Sequence, residues 1–321
     1  MSYSFLNIDV NDWELFINQY SEVNVFGTET FLKTTTSVYN CDLDIRVVLF
    51  NNKPILAVPL FIKGNKVVSP NHYYYQYIWE KETSKESWNQ IEAWSFLIKE
   101  LQKKYKEIKL RLPTKLKDVR PFIWNNFDIR LKYTYEKDLQ KLTYNRNIKR
   151  ILNHHNKKYS FNENCDWAPN WDFYNNDLVK LGVKKNDLRL YVSYFKGLKE
   201  INQLEVFNVY DDDGFITSIL TIVDYKSKLA YFALMGLVED KHYRKGLPTL
   251  LYDNALNRLK QKDILKVDFL GANMKSISKY KSNFLPSLEG YYEVFYAEFN
   301  AKNKKNWSKI NHLIHKVLRF R

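Results

Sequence analysis

The chain has 321 residues, of which 45% are hydrophobic and 27% charged, and this balance excludes an intrinsically disordered protein. The two cysteines, Cys41 and Cys165, are too far apart in the sequence to indicate a disulfide framework or a metal site. The net charge of +14 is spread along the whole chain and favours anionic partners such as nucleic acid, acidic lipid or phosphorylated ligands. No run of about 18 apolar residues and no signal-peptide pattern is present, so we expect a cytoplasmic protein.

The first half of the sequence predicts helices around a hairpin, followed by a long helix and further strands. Residues 9–20 place large apolar side chains at helical spacing after a capping residue, Asp9 or Asn11. The predicted elements are helices at 9–20 and 29–39, strands at 44–50 and 55–62, an extended stretch at 72–79, a helix at 87–105, a strand at 108–113, a short helix at 115–124 interrupted by Pro121, and a strand at 129–139.

The second half repeats this order of elements without repeating the sequence. The predicted elements are a basic helix at 144–156, a strand at 159–164, helices at 170–181 and 190–198, a hairpin at 204–225, a strand at 229–236, a helix up to 259, a strand at 267–271, a short helix at 274–284 and a strand at 291–299. Both halves therefore contain a hairpin, a long helix, a strand, a short helix and a strand. This order predicts an α/β (α+β) protein of two lobes, each a mixed and mostly antiparallel sheet flanked by helices. We place the lobes at 1–136 and 137–300.

The last residues, 301–321, form a third predicted segment. Trp307, Ile310, Leu313 and Val317 recur at helical spacing between basic residues. This pattern predicts a basic amphipathic helix, which either packs on the body of the protein or makes a peripheral membrane contact at the inner face of the membrane.

One stretch, His242 to Leu259, begins with a basic turn and continues as a helix. Pro248 suits the first helical turn, and Gly246 allows the backbone to bend closely. Free N–H groups at such a start can bind phosphate, with Arg244 and Lys245 adding positive charge. An ordinary capped helix with two solvated basic residues is the alternative.

These segments resemble the GNAT acyltransferase superfamily and, more narrowly, its FemAB-like branch. The turn that holds the CoA pyrophosphate in GNAT proteins aligns with residues 243–248, where Gly246 matches and Tyr243 and Pro248 depart from the pattern. The FemAB-like closing signature is matched by Asp268, Phe269, Gly271, Tyr280, Lys281, Phe284, Tyr291 and Tyr292.

This resemblance implies a double-GNAT fold that transfers an acyl or aminoacyl group from an activated donor to an amine. The second lobe would bind the donor, and the first would help to bind a small-molecule, cell-envelope or sugar-nucleotide acceptor. Acyl-CoA is the favoured co-substrate over aminoacyl-tRNA, because no long charged helical pair is present, and no tightly bound cofactor or metal is implied. A non-catalytic or tRNA-binding double-GNAT protein is the alternative.

The resemblance also assigns roles to individual residues. Lys281 would stabilise the oxyanion, whereas Tyr280 and Tyr292 would protonate the leaving group unless they serve packing. Asp268 would orient or deprotonate the acceptor amine, or cap the next helix. The donor would contact Tyr243, Arg244, Lys245, Gly246, Leu247 and Thr249.

A basic face on the predicted helix at 144–156 is the candidate acceptor site. Arg146, Lys149 and Arg150 lie at i, i+3 and i+4 and therefore share one side of the helix. They would hold a phosphate or carboxylate of the acceptor, or form a solvated basic face.

Overall fold

The computed structural model describes residues 2–81, 88–154, 159–163, 179, 185–236, 238, 240–243 and 246–298. Within these limits the chain divides into two compact units, one formed by residues 2–131 and 291–298 and the other by residues 132–290. The predicted C-terminal helix lies outside the described residues, as does all of the predicted helix at 170–181 except residue 179. The predicted lobe limits, 1–136 and 137–300, stay a prediction.

The first unit is built on a mixed sheet in the order β1-β2-β3-β4-β6-β13, with β5 paired to β3. Its elements are β1 (Tyr3–Ile8), α1 (Val10–Ile17), a 3₁₀ turn (Val25–Gly27), α2 (Glu29–Tyr39), β2 (Asp42–Phe50), β3 (Lys53–Lys63), β4 (Lys66–Val68), β5 (Trp79–Glu80), α3 (Trp88–Lys104), β6 (Glu107–Arg111), α4 (Arg120–Trp124) and the start of β7 (Asp128–Asp138).

Local sequence explains these elements. The side chain of Asp9 caps α1 by accepting from the N–H of Asn11, and Thr28 caps α2 in the same way through the N–H of Phe31. Asn51 and Asn52, both in the left-handed region, form the two-residue turn of the β2–β3 hairpin. The buried face of α3, which includes Trp94 and Leu97, packs into the main hydrophobic core of this unit.

The second unit has a sheet in the order β7-β12-β11-β10-β9-β8. Its elements after β7 are α5 (Arg146–Asn153), β8 (Ser160–Glu163), α6 (Lys185–Glu200), β9 (Leu204–Asp211), β10 (Gly214–Asp224), β11 (Leu229–Met235), α7 (Asp240–Tyr243), α8 (Leu247–Gln261), β12 (Lys266–Asp268), α9 (Lys275–Ser282) and the start of β13 (Ser287–Ala297). α8 carries an apolar stripe in which Leu247, Leu251, Ala255 and Leu259 are fully buried.

The strand that ends each half of the sequence pairs with a strand of the other half. β7 closes the first half of the sequence but pairs antiparallel with β12, from Lys266↔Asp138 to Asp268↔Glu136. β13 closes the second half but pairs antiparallel with β6, from Glu293↔Arg111 to Ala297↔Glu107. The repeat of elements is therefore present, although the strand that ends each half lies among the strands of the other half.

Three predictions for the first half are wrong in detail. Residues 3–8, for which we predicted no structure, form strand β1 along β2. The stretch 72–79 is largely irregular and enters a strand only at Trp79. Pro121 starts helix α4 instead of interrupting it, because proline fits the first turn, where its missing N–H has no helical partner.

Candidate active site

The second unit contains a point at which two parallel neighbouring strands separate. β11 and β12 pair in parallel over three residues, ending at Tyr231↔Asp268. Beyond that pair, β11 continues to Met235 along β10, with a register shift at Leu220/Thr221 that bulges it at Ala233. The chain after Asp268 instead follows β7, and the N–H of Ala272 donates to the carbonyl of Tyr133 at 3.0 Å. We call this divergence of residues 231–235 from residues 268–272 the strand fork.

The start of helix α8 lies at the open end of the strand fork. β11, α8 and β12 form a crossover between parallel strands, so α8 runs back antiparallel to them and begins where β11 ends. In open α/β sheets this carboxyl edge is where ligands bind. The start of α8 therefore brings the positive end of its helix dipole to this edge of the fork.

Gly246 is the N-cap of α8 and adopts a left-handed conformation with φ of 79°. Its carbonyl accepts from the N–H of Thr249 at 3.0 Å and of Leu250 at 3.2 Å. A Cβ at this position would lie 2.5 Å from Cγ2 of Ile151 on α5. Glycine is therefore needed both for its positive φ and for the close approach of α5 to the helix start.

The other predicted donor residues are placed less favourably than the sequence suggested. Arg244 and Lys245 lie outside the described residues, as does the side chain of Tyr243, which ends α7. Leu247 and Thr249 are described, but their side chains point into the core with 0% and 3% exposure. Leu247 is fully buried and offers a donor neither its side chain nor its backbone, and the N–H of Thr249 already donates to Gly246.

Asp268 ends β12 at the base of the strand fork and is buried. Its Oδ1 accepts from the N–H of Leu270 at 2.7 Å and from the hydroxyl of Thr134 on β7. This carboxylate therefore caps the turn after β12 rather than helix α9, the alternative that we predicted. Burial, reinforced by Asp268, raises the pKa of the neighbouring Tyr231 far above its ordinary value.

Lys281 on α9 reaches back to the same turn. Its Nζ donates to the carbonyls of Phe269 at 2.7 Å, Leu270, and Gly271 at 3.4 Å. Burial lowers the pKa of Lys281 to about 8, although the negative charge of Asp268 acts in the opposite direction and raises this pKa. Because Leu270 and Gly271 both have positive φ, the buried ammonium stabilises an unusual turn at the strand fork. The structure thus buries Lys281 instead of exposing it on the surface of α9.

The two predicted tyrosine acids lie in different compact units. Tyr280 belongs to the second unit, where its ring packs edge-on against Tyr252 at 5.6 Å and Phe284 at 5.6 Å. Tyr292 belongs to the first unit, where it packs against the main core and its carbonyl accepts from the N–H of Leu112. Of the predicted catalytic residues, the second unit thus brings together Asp268, Tyr280 and Lys281.

The predicted acceptor residues lie on α5, which is capped by Asn145. Arg146, Lys149 and Arg150 are all exposed, whereas Ile148 on the opposite side is buried. Because Ile151 of the same helix touches Gly246, the side of α5 that packs against the start of α8 is the one opposite this basic face.

A buried histidine near the helix start is a feature that the sequence did not single out. His242 on α7 has its Nδ1 at 3.2 Å from the hydroxyl of Tyr159 and its Nε2 at 3.7 Å from Oδ2 of Asp211. Asp211 lies at the end of β9. The contact anchors the segment between β11 and α8 to the β9–β10 hairpin, which no local pattern could have indicated.

The equivalent position in the first unit is filled by the chain itself. β4 and β6 pair in parallel over two residues, and β11 and β12 do so over three. β4, however, ends at Val68. The N–H of Gln76 donates to the carbonyl of Arg111 on β6 at 2.7 Å, and its side-chain amide donates to Pro59 on β3. Residues 70–78 therefore bridge β3 and β6 where β4 would continue, and they close the first unit's counterpart of the fork.

In the described part of the chain, no group of three or more His, Cys, Asp or Glu side chains is arranged to hold a metal ion. None of the helices in that part is long and apolar enough to cross a membrane.

Comparison with solved structures identifies the fold. FemX superposes with a TM-score of 0.61 at 9% identity, covering 90% of this chain and 96% of that chain. A tandem GNAT protein from the clavulanic acid biosynthesis pathway gives 0.56 at 12% identity over 91% and 98%. L-PGS from Bacillus licheniformis gives 0.54 at 12% identity over 90% and 92%. The chain thus has a tandem GNAT fold, as its resemblance to FemAB-like proteins implied.

Sequence comparison does not detect the similarity that the structures show. No protein-family model and no curated protein matches it. At identities of about a tenth, the similarity establishes the fold, and activity has to be argued from the site.

Proposed function

We propose that the protein is a FemAB-like acyltransferase that moves an acyl or aminoacyl group from an activated donor, preferably acyl-CoA, to an amine. The observation that carries the proposal is the strand fork of the second unit. The fork separates two neighbouring parallel strands at the carboxyl edge of the sheet, and the α8 start beside it favours an anionic carrier.

The reaction requires an uncharged amine, a polarised carbonyl and protonation of the leaving group. The amine nitrogen attacks the carbonyl carbon, the bond from that carbon to the carrier breaks, and the amine proton leaves for a base while the carrier takes up a proton. Asp268 at the base of the fork would orient the amine. Lys281, whose Nζ is held by backbone carbonyls, would act by positioning the turn after β12.

The acceptor would lie towards α5. Its exposed Arg146, Lys149 and Arg150 suit a phosphate or carboxylate, as a sugar-nucleotide or other cell-envelope precursor would offer. A cytoplasmic location, with or without peripheral contact at the inner face of the membrane, fits such an acceptor.

Binding of acetyl-CoA, measured by isothermal titration calorimetry, tests the donor and its location. We expect one molecule per chain, because residues 70–78 fill the corresponding position of the first unit. Two molecules per chain would contradict that assignment. No heat with acetyl-CoA or CoA would remove acyl-CoA as the donor.

A second candidate is a double-GNAT protein that uses aminoacyl-tRNA or only binds tRNA. It is favoured by the helix start itself, where Pro248 lacks an N–H and the N–H of Thr249 donates to Gly246. These features leave fewer amides for a pyrophosphate. Salt-sensitive binding of tRNA, together with no binding of CoA, would support this candidate.

A further inference from the structure

Helices α5 and α9 of the second unit are joined by a pair of asparagines. The side-chain amide of Asn145, the N-cap of α5, donates to Oδ1 of Asn283 at 2.6 Å, and its backbone N–H donates to the carbonyl of Asn283 at 3.1 Å. Asn283 is the C-cap of α9, and its own side-chain amide donates to the carbonyl of Lys279 at 3.1 Å. We call Asn145 and Asn283 the asparagine clasp.

The clasp explains why an asparagine caps α5. A helix N-cap needs only a side-chain oxygen, and Oδ1 of Asn145 supplies it by accepting from the N–H of Ile148 at 3.0 Å. Aspartate would cap the helix equally well, but its carboxylate has no N–H to donate to Asn283. The residue type therefore serves the contact between the two helices.

Each helix of the clasp also holds one part of the candidate site. Two residues before Asn283, Lys281 of α9 donates to the carbonyls of the turn after β12. On α5, Ile151 lies against Gly246 at the start of α8. The clasp therefore joins the helix that holds the turn of the strand fork to the helix that packs on the α8 start.

Tyr144, next to Asn145, adds a contact with α8. Its hydroxyl donates to Oδ1 of Asp253 on α8 at 2.7 Å, and its ring packs edge-on against Phe284 at 5.8 Å. Residues 144 and 145 thus contact both α8 and the end of α9. Loss of the amide contact between Asn145 and Asn283 would weaken the link between these two helices.

We propose that Asn145 is a positioning residue, which fixes the turn of the strand fork, residues 269–272, relative to the start of α8. The inference rests on the proposed function, in which the anionic carrier of the donor lies at the helix start and its acyl group at the fork. Such a donor presents its carbonyl correctly only when the two parts of the site keep their spacing. Asn145 acts on that spacing through α5 and α9.

Asn145→Asp tests the proposal on the full chain. It keeps an oxygen for the N–H of Ile148 and so preserves the cap of α5, but it places a carboxylate oxygen against Oδ1 of Asn283. Asn283→Asp is the matched control, because it adds the same charge at the same place and still offers an oxygen to the amide of Asn145. Circular dichroism should show that both variants are folded. Asn145→Ser, which also keeps a capping oxygen and removes the amide, takes the place of Asn145→Asp if that variant does not fold.

Hydrogen exchange of the turn is the first measurement. The N–H groups of Phe269 and Ala272 donate to the carbonyls of Tyr135 and Tyr133 at 2.8 and 3.0 Å. We expect Asn145→Asp to speed exchange of residues 269–272 roughly 10-fold and Asn283→Asp to leave it unchanged. A residue that only caps α5 would not affect this turn, so equal exchange in Asn145→Asp and wild type would overturn the proposal.

Acetyl-CoA provides the second measurement, because the proposed donor reaches from the helix start to the fork. It should slow exchange of residues 269–272 in wild type. Asn145→Asp should lose most of this protection, while its Kd for acetyl-CoA rises less than about 3-fold because the helix start is intact. Protection as complete as in wild type would contradict the positioning role. Wild-type protein that binds no acetyl-CoA, or binds it without protecting the turn, would count against the proposed donor site instead, and exchange without ligand would then decide the role of Asn145 alone.

Discussion

Replacing Lys281 by methionine is expected to destabilise the second unit by about 2–3 kcal/mol at pH 7 and to lower turnover. The substitution removes the ammonium group that donates to the carbonyls of Phe269, Leu270 and Gly271. These buried acceptors then have no donor. Misplacement of the turn at the strand fork should lower kcat roughly 100-fold. The Kd of the donor should change much less, because the helix start is untouched. Urea denaturation and steady-state kinetics measure the two effects.

The stability effect should grow with pH. The pKa of Lys281 is about 8 in the folded chain, below its ordinary value of 10.5, so the unfolded chain binds more protons between these values. The pH-dependent part of the stability that Lys281 contributes is therefore fully present above pH 10.5 and is lost as the pH falls to 8, which leaves the smaller contribution of its hydrogen bonds at pH 7. Between pH 8 and 10.5, the free-energy difference between wild type and Lys281→Met should rise by up to ~3 kcal/mol.

Lys279→Met is the control for charge alone, because Lys279 lies on the same helix and is exposed. It should change neither the free energy of unfolding nor its pH dependence by more than about 0.5 kcal/mol. If the two variants behave alike, Lys281 does not hold the turn. If Lys281→Met unfolds more easily but keeps its kcat, the lysine has a structural role only.

The fold could be predicted from the order of elements, because amphipathic periodicity survives where sequence identity does not. The spacing in residues 29–39 predicts α2 to the residue, and the hairpin signals around 51–54 and 211–214 correspond to tight turns in the structure. The pairing of β7 with β12 and of β13 with β6 could not be predicted in this way, because strand periodicity does not indicate which neighbour a strand pairs with.

The site could be predicted in part, because burial depends on tertiary contacts. A lysine on a short basic helix reads as exposed, yet Lys281 is enclosed because the turn after β12 folds back on it. The tyrosine-rich stretch from His72 to Trp79 is predicted to be extended. In the structure, the N–H of Gln76 donates to the carbonyl of Arg111 on β6, and the stretch fills the position where β4 would continue. Such contacts join residues tens of positions apart and leave no local pattern.

The second large effect is expected at the start of α8. Gly246→Val should lower the free energy of unfolding by roughly 2–5 kcal/mol and abolish donor binding. A side chain with φ near 79° is strained, and its Cβ would lie 2.5 Å from Ile151. Thermal melting and acetyl-CoA titration report the two losses.

A double-mutant cycle with Ile151 separates packing from ligand contact. Gly246→Ala alone introduces both the strain of a positive φ and a clash with Ile151. When Ile151→Ala is added, only the backbone strain remains. We therefore expect a favourable coupling energy of about 1–3 kcal/mol between the two substitutions.

Donor affinity in the double variant then decides what the glycine is for. Because the Cβ points at Ile151, the added methyl group fills the space vacated on α5 rather than the fork. We expect acetyl-CoA affinity to recover together with stability, which would make Gly246 a packing residue that supports the donor site. Recovery of stability without recovery of affinity would instead place the donor phosphates directly against this glycine, as its match to the GNAT turn implies.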